Sequence, residues 1–98
     1  MKISGHYETG VLEVYVDGKY LDPRPSLKVW NHSPTGFGAG YGGSGPAQLA
    51  LAILLLVTDQ GNAIRLHQDF KWDFVTKWSF EEDFEVNIDV ADWINHHA

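Results

Sequence analysis

The chain has 98 residues, of which 44% are hydrophobic, and it contains no cysteine. This length predicts a single domain over residues 1–98, and the composition argues against global disorder. The lack of cysteine excludes disulfide frameworks, thiolate metal sites and cysteine nucleophiles, and it is consistent with a cytoplasmic protein.

The formal net charge is −6, and the excess lies in residues 81–98, which hold six acidic residues and no Lys or Arg. A surface of this kind repels the nucleic-acid backbone, so we expect no binding to it. It suits a basic protein partner, although an ordinary solvated surface is the simpler interpretation. The apolar run Leu49–Val57 is far shorter than the roughly 20 residues that span a bilayer, so no membrane segment is predicted.

The N-terminal third has the alternation and the turn chemistry of antiparallel strands. Asp17-Gly18 is a strong signal for a two-residue hairpin turn. The two prolines in residues 22–26 cannot donate to a sheet and are expected to end the return strand. The expected strands are Lys2–His6, Val11–Val16, Lys19–Leu21 and Leu27–Trp30.

A segment with six glycines, Gly36–Gly45, follows turn-forming residues and precedes an apolar run; we call it the glycine loop. Proline is favoured in the first turn of a helix, so the sequence predicts a helix over Pro46–Thr58, capped by Gly45 or by Ser44. Gln48 then stands where its side chain reaches back to the cap. Because this helix is apolar on nearly every side, we expect it to be buried at the centre of the fold.

A second helix is predicted from a cap at Asn62 to about Lys77, after Asp59-Gln60-Gly61 ends the first. Its apolar residues recur at spacings of three and four, which indicates one buried stripe: Ala63, Leu66, Phe70, Phe74 and Trp78. Gln68, Lys71, Trp72 and Val75 lie off this stripe. Trp72 is therefore either packed against another element or exposed for binding.

The C-terminal part predicts a polar loop at Ser79–Asp83, a short strand at Phe84–Ile88 and a last helix that Asp89 caps. Together the patterns predict an α+β fold. It would comprise a small N-terminal antiparallel sheet with a hairpin, a buried central helix, an amphipathic second helix, and a short C-terminal strand and helix.

Two interpretations of the glycine loop remain open. The glycines either permit positive-φ turns and tight packing, or they let an anion approach the positive N terminus of the following helix. The loop lacks both the Gly-Lys-Ser/Thr phosphate motif and the strand–GxGxxG–helix fingerprint. Its length and its interleaved aromatic residues are nevertheless typical of a functional loop. The candidate ligand-binding residues are His32, Ser33, Thr35, Phe37, Tyr41, Gly42, Gly43, Ser44, Gln68, Lys71 and Trp72.

Neither a metal site nor a catalytic constellation is predicted. The five histidines lack the three- and four-residue spacings of helical metal-ligand pairs, and no cofactor is expected. Ser44 misses the nucleophile elbow G-x-S-x-G because Pro46 stands where the second glycine is needed. Ser44 is therefore better explained as a helix cap than as a nucleophile.

The segment Gly40–Gln48, GYGGSGPAQ, which continues as LALAIL, resembles the signature of a family of small uncharacterised proteins. The residues Gln68, Phe70 and Lys71 also correspond, and the resemblance extends from the Asp22–Ser26 turn to Trp93. The family is a domain of unknown function found in bacteria, archaea, phages and plasmids. The resemblance therefore implies an association with such elements but no activity.

We therefore expect a non-enzymatic binding module with a small-molecule or anion site, nucleotides included, at the glycine loop and the helix N terminus. One alternative is a protein-interaction or inhibitor module that uses the acidic C-terminal segment or Trp72. The other alternative is an enzyme of unknown class, which the missing catalytic constellation disfavours.

Overall fold

The computed structural model describes residues 1–97. Its elements in chain order are β1 (Lys2–Glu8), β2 (Val11–Val16), β3 (Lys19–Tyr20), α1 (Arg24–Val29), α2 (Ser44–Leu55), α3 (Gln60–Asp73), a 3-10 turn (Val75–Lys77), β4 (Phe84–Asn87) and α4 (Val90–His97). The α+β fold class is confirmed, with a four-stranded antiparallel sheet, four helices and a C-terminal strand and helix.

The sheet has the strand order β3-β2-β1-β4, and every neighbouring pair is antiparallel. Ile3 on β1 lies opposite Val16 on one side and Val86 on the other. Asp17 and Gly18 have φ values of +50° and +83°, as a type I′ hairpin turn requires. The predicted hairpin is therefore confirmed, and β1 pairs with its first strand, β2.

The strand predicted at Leu27–Trp30 is wrong, because this segment forms the short helix α1 and the bend after it. The prolines that we expected only to end the hairpin lie at the start of α1, where a missing N–H costs nothing. The side chain of Asp22 accepts a hydrogen bond from the Arg24 N–H at 2.9 Å, which fixes this first turn.

Helix α2 is buried along its length from Gly45 to Leu54, which confirms the predicted central helix. Its start is two residues earlier than predicted: Gly43 is the N-cap, and no side chain caps the helix. The predicted capping by Gly45 or Ser44 is therefore wrong. The Gln48 side chain also does not reach back to the cap, because it is hydrogen-bonded to the chain on the other side of the glycine loop.

Helix α3 begins at Gln60, and its cap is Asp59 rather than Asn62, since the Asp59 Oδ1 accepts the Asn62 N–H at 2.8 Å. The residues expected to end one helix thus begin the next. The helix ends at Asp73 instead of Lys77 and tightens into the 3-10 turn. Lys71 and Val75, expected off the buried stripe, are both buried.

The hydrophobic core lies between the inner face of the sheet and the helices. Its members include Ile3, Val14 and Val16 from the sheet, Leu49, Leu51, Ile53 and Leu54 from α2, Leu66 and Phe70 from α3, and Val90 and Trp93 from α4. Asp89 caps α4, as predicted, by accepting the Asp92 N–H at 2.9 Å. Within residues 1–97 no helix has the length and hydrophobicity to cross a membrane.

Candidate functional site

The glycine loop is packed tightly against the segment that follows α3. Gly40 has a φ of +80°, and its N–H donates to the Val75 carbonyl at 3.0 Å. A Cβ at this position would lie 2.6–2.7 Å from backbone atoms of Phe80 and Trp78. Gly40 is therefore required for both its conformation and the close approach of two backbone segments.

Three further glycines surround the ring of Tyr41. A Cβ added at Gly38, Gly43 or Gly45 would lie 2.5–2.7 Å from atoms of the Tyr41 side chain. The ring thus folds back over the first turn of α2. At Gly45 a Cβ would also lie 2.9 Å from the backbone N of Gly38, so packing accounts for the glycine at this position without a ligand.

A cavity of about 470 Å³ opens between the glycine loop, the β1–β2 hairpin and residues 79–82. We call it the aromatic cavity. Its apolar wall is formed mainly by Tyr7, Leu12, Phe37, Tyr41 and Phe80, and its acidic residues are Glu81 and Glu82. Two of the predicted site residues, Phe37 and Tyr41, thus line one concave surface.

The walls of the aromatic cavity are fixed by contacts from three parts of the chain. Phe37 forms an isolated antiparallel bridge with Leu12 of β2. The rings of Tyr41 and Phe80 meet edge to face, with their centroids 5.6 Å apart. Asp83 joins the other side, because its Oδ1 accepts the Tyr7 N–H at 2.8 Å.

The polar groups of the cavity are acidic or neutral. Glu81 and Glu82 are exposed, and Glu81 has a φ of +53°, which is uncommon for a residue other than glycine. Burial and the neighbouring Glu81 carboxylate raise the pKa of the Tyr7 phenol from its usual value of 10.0. Tyr7 therefore remains a protonated hydroxyl at neutral pH and can donate a hydrogen bond.

Four other predicted residues, His32, Gln68, Lys71 and Trp72, lie together with His67 in a second place, which we call the polar cluster. His67 donates from Nδ1 to the Ile64 carbonyl at 2.6 Å, which leaves its Nε2 as an acceptor. The Nε2–H of His32 then donates to this Nε2 at 2.9 Å. Burial is the main cause that lowers the pKa of both rings, and the nearby Lys71 ammonium lowers them further.

Lys71 connects the polar cluster to the glycine loop. Its side chain is 7% exposed, its Nζ donates to the Gly42 carbonyl at 3.3 Å, and it lies 4.5 Å from the centroid of the Trp72 ring. Trp72 packs on Gly42, where a Cβ would lie 2.5 Å from the ring, yet it remains 56% exposed. Trp72 is thus packed against another segment and exposed at the same time, which are the two alternatives that the sequence left open.

The remaining predicted residues have separate environments. Ser33 is buried, and its N–H donates to the Gln48 Oε1 at 3.1 Å. Thr35 and Ser44 are exposed, and Gly43 ends the loop as the N-cap of α2. The predicted residues are therefore divided among the aromatic cavity, the polar cluster and these separate positions.

Sequence reasoning missed Tyr7, Phe80 and Glu81 as cavity residues, and His67 as the partner of His32. None of these carries a local signal, because each reaches its place through the packing of distant segments. Gln48 did carry one: a polar residue within an otherwise apolar helix must find buried hydrogen-bond partners.

Within residues 1–97, no three His, Cys, Asp or Glu side chains are grouped so that they could hold a metal ion. In the histidine pair of the polar cluster the two Nε2 atoms are engaged with each other, and the His67 Nδ1 is engaged with the Ile64 carbonyl.

The chain was compared with protein families, curated proteins and solved structures. The model of a protein family, described as "Family of unknown function (DUF6166)", matches residues 3–96. No curated protein and no solved structure matches the chain significantly. The match covers nearly the whole chain and carries no activity.

Proposed function

The chain belongs to the DUF6166 family of unknown function, and we propose that it is a non-enzymatic module that binds a small molecule in the aromatic cavity. The observation that carries this proposal is the cavity itself. Its volume of about 470 Å³ falls within the range of roughly 300–1,000 Å³ that is typical of small-molecule sites.

The lining suits a ligand with a flat, apolar body. Such sites combine a hydrophobic and aromatic wall with a few polar groups that orient the ligand. Here Phe37, Tyr41 and Phe80 supply the wall, while Tyr7 and Glu81 supply the polar groups. Because separate backbone contacts hold the glycine loop and the Tyr7 strand, little ordering entropy is lost when a ligand enters.

Binding is favoured over catalysis by the chemistry of the lining. General acid–base catalysis works best with a group whose pKa lies near the working pH. The pKa of Tyr7 is shifted upward, away from neutrality, so its phenol is a hydrogen-bond donor and not a base. A bound ligand should accordingly be recovered unchanged.

The proposal is tested with a ligand probe and three truncations of equally exposed aromatic residues. The probe is 2-naphthamide, whose 13 heavy atoms at about 0.3 kcal/mol per atom correspond to a Kd of about 1 mM. Phe80 lines the cavity, Trp72 belongs to the polar cluster, and Tyr20 lies on the outer strand β3; their exposures are 55%, 56% and 55%. The variants are Phe80→Ala, Trp72→Ala and Tyr20→Ala.

We expect saturable amide chemical-shift changes in residues 37–41 and 79–82 when the probe is added to the wild-type protein. Phe80→Ala should weaken binding about fivefold or more, because an aromatic wall is lost. Trp72→Ala and Tyr20→Ala should leave it unchanged. Loss of binding in Trp72→Ala alone would move the site to the polar cluster, and absence of saturable shifts in the wild type would refute the proposal.

A further inference from the structure

The aromatic cavity contains negative but no positive side chains. Its ionised residues are Glu81 and Glu82, and no Lys, Arg or His is among the residues that line it. The next residue, Asp83, pairs with His6 at 3.1 Å, and Glu85 pairs with Lys2 at 3.3 Å, whereas Glu81 and Glu82 form no ion pair within residues 1–97. From this charge pattern we infer that the natural ligand is a small organic cation, with an ammonium, amidinium or guanidinium group on an apolar or aromatic body; the inference rests on the function proposed above.

The aromatic rings favour the same charge. The faces of tyrosine and phenylalanine rings attract a cation that lies within about 6 Å of their centroids. Tyr7, Phe37, Tyr41 and Phe80 all border the cavity, and the last two are 44% and 55% exposed, so that they are available to a ligand. A carboxylate attracts an organic cation by its opposite charge, and an aromatic face attracts it by a cation–π contact, so the cavity offers both interactions.

The positively charged groups of the neighbourhood lie elsewhere, and His6, next to Tyr7 in the sequence, is engaged by Asp83 and Glu8. The Lys71 ammonium contacts Gly42 and the ring of Trp72, on the polar cluster, and neither Lys71 nor Trp72 borders the aromatic cavity. The first turn of α2, the expected anion site, is covered by the ring of Tyr41. An anion in the cavity would meet the carboxylates of Glu81 and Glu82 without a compensating cation.

Three probes of the same shape separate the charge of the ligand from its body. The compounds 2-naphthamidine, 2-naphthamide and 2-naphthoate carry charges of +1, 0 and −1 on one bicyclic ring system. Each is titrated into the 98-residue protein and followed by amide chemical shifts. We expect the amidine to bind about three- to tenfold more tightly than the amide, as a cation–π contact and a partly exposed carboxylate together allow, and the naphthoate to bind most weakly.

Two charge-removing variants identify the responsible carboxylate. Glu81→Gln keeps the size of the side chain and should lower the affinity of the amidine to that of the amide, while the affinity of the amide stays the same. Asp69→Asn removes one charge from an exposed position on α3, outside the cavity, and should leave all three affinities unchanged. Added salt should weaken only the amidine, because screening acts on the charged pair.

The outcomes separate this inference from the proposed function. Equal affinities for the amidine and the amide would overturn the cationic ligand but leave the binding site in place. Tightest binding of the naphthoate would favour the anion expected from the sequence instead. Nα-acetyl-arginine amide serves as a fourth probe. If it binds and the three naphthalene compounds do not, the occupant of the cavity is a side chain of a basic protein partner. If no probe binds, the proposed function fails as well.

Discussion

The substitution Gln48→Leu should strongly destabilise the protein, although it places an apolar side chain of similar size in an apolar helix. Gln48 is fully buried, and its Oε1 accepts the N–H groups of His32 and Ser33 at 2.7 and 3.1 Å. Its Nε2 donates to the Ser26 Oγ at 2.9 Å, and this hydroxyl donates to the Pro23 carbonyl at 2.7 Å. One side chain thus ties α1 and the entrance to the glycine loop to the central helix.

The magnitude follows from the groups that leucine would leave without partners. A buried donor that loses its acceptor costs about 1–3 kcal/mol. Ser33 is buried, whereas His32 is half-buried. The N–H of His32 can therefore recover part of its hydrogen bonding from water. After the small gain from the apolar leucine, we expect the free energy of unfolding to fall by about 2–4 kcal/mol. Domains of this size have about 5–15 kcal/mol in total, so the variant should still fold.

Urea unfolding measures this loss, and Gln68→Leu provides the matched control. Gln68 is exposed, and its closest polar contact is a long one of 3.5 Å to His67, so the same chemical change there should stay within about 0.5 kcal/mol. Ser26→Ala should cost about 1–2 kcal/mol, and the double variant should cost less than the sum, because both substitutions break one network. A loss in Gln48→Leu no larger than that in Gln68→Leu would refute the reasoning.

Two further predictions concern the glycine loop and the histidines. Gly40→Ala should lower the free energy of unfolding by at least about 2 kcal/mol, because a positive φ is combined with overlap of the new Cβ with the backbone. Gly10 has a similar φ but open space around it, so Gly10→Ala should lower it by about 1 kcal/mol. Equal losses in urea unfolding would contradict the close approach at Gly40. By NMR titration, the imidazoles of His32 and His67 should have midpoints below 6.5, and that of His6, paired with Asp83, above 6.5. Because the folded state then binds fewer protons than the unfolded one at His32 and His67, their contribution to stability is complete above pH 6.5 and is lost as the pH falls through the lowered pKa values. A midpoint above 6.5 for His67 would contradict the lowering of its pKa by burial.

Much of the fold could be predicted because its signals are local. The hairpin at Asp17-Gly18 depends on two adjacent residues that tolerate positive φ, and the burial of α2 follows from its own composition. The boundaries failed where one residue type serves two purposes. The prolines near Arg24 break a strand but also begin a helix, and Asp59 ends one apolar segment while it caps the next.

The candidate site was only half predictable, for a physical reason. Phe37 and Tyr41 stand out between glycines, so a local pattern found them. Tyr7 and Phe80 reach the same cavity because the sheet and the turn after α3 bring them there, and no spacing along the chain encodes that contact. The negative charge of the cavity comes from Glu81, which is also brought there by the packing of distant segments. For this reason the local pattern favoured an anion as the ligand, whereas the assembled lining favours a cation.

The glycines themselves are no longer an argument for a ligand. At Gly40 and Gly45 an added Cβ would collide with backbone atoms, so packing alone accounts for these glycines, whereas at Gly38 and Gly43 it would collide with the side chain of Tyr41. That packing nevertheless determines where the Tyr41 ring stands, and the ring forms one wall of the aromatic cavity. The two interpretations of the loop are therefore linked rather than opposed. Substitution of Gly38, Gly43 or Gly45 would alter binding by moving Tyr41, and substitution of Gly40 would alter it by moving the backbone of Phe80. A loss of binding there must therefore be compared with direct changes at Phe80 or Glu81 before it is assigned to ligand contact.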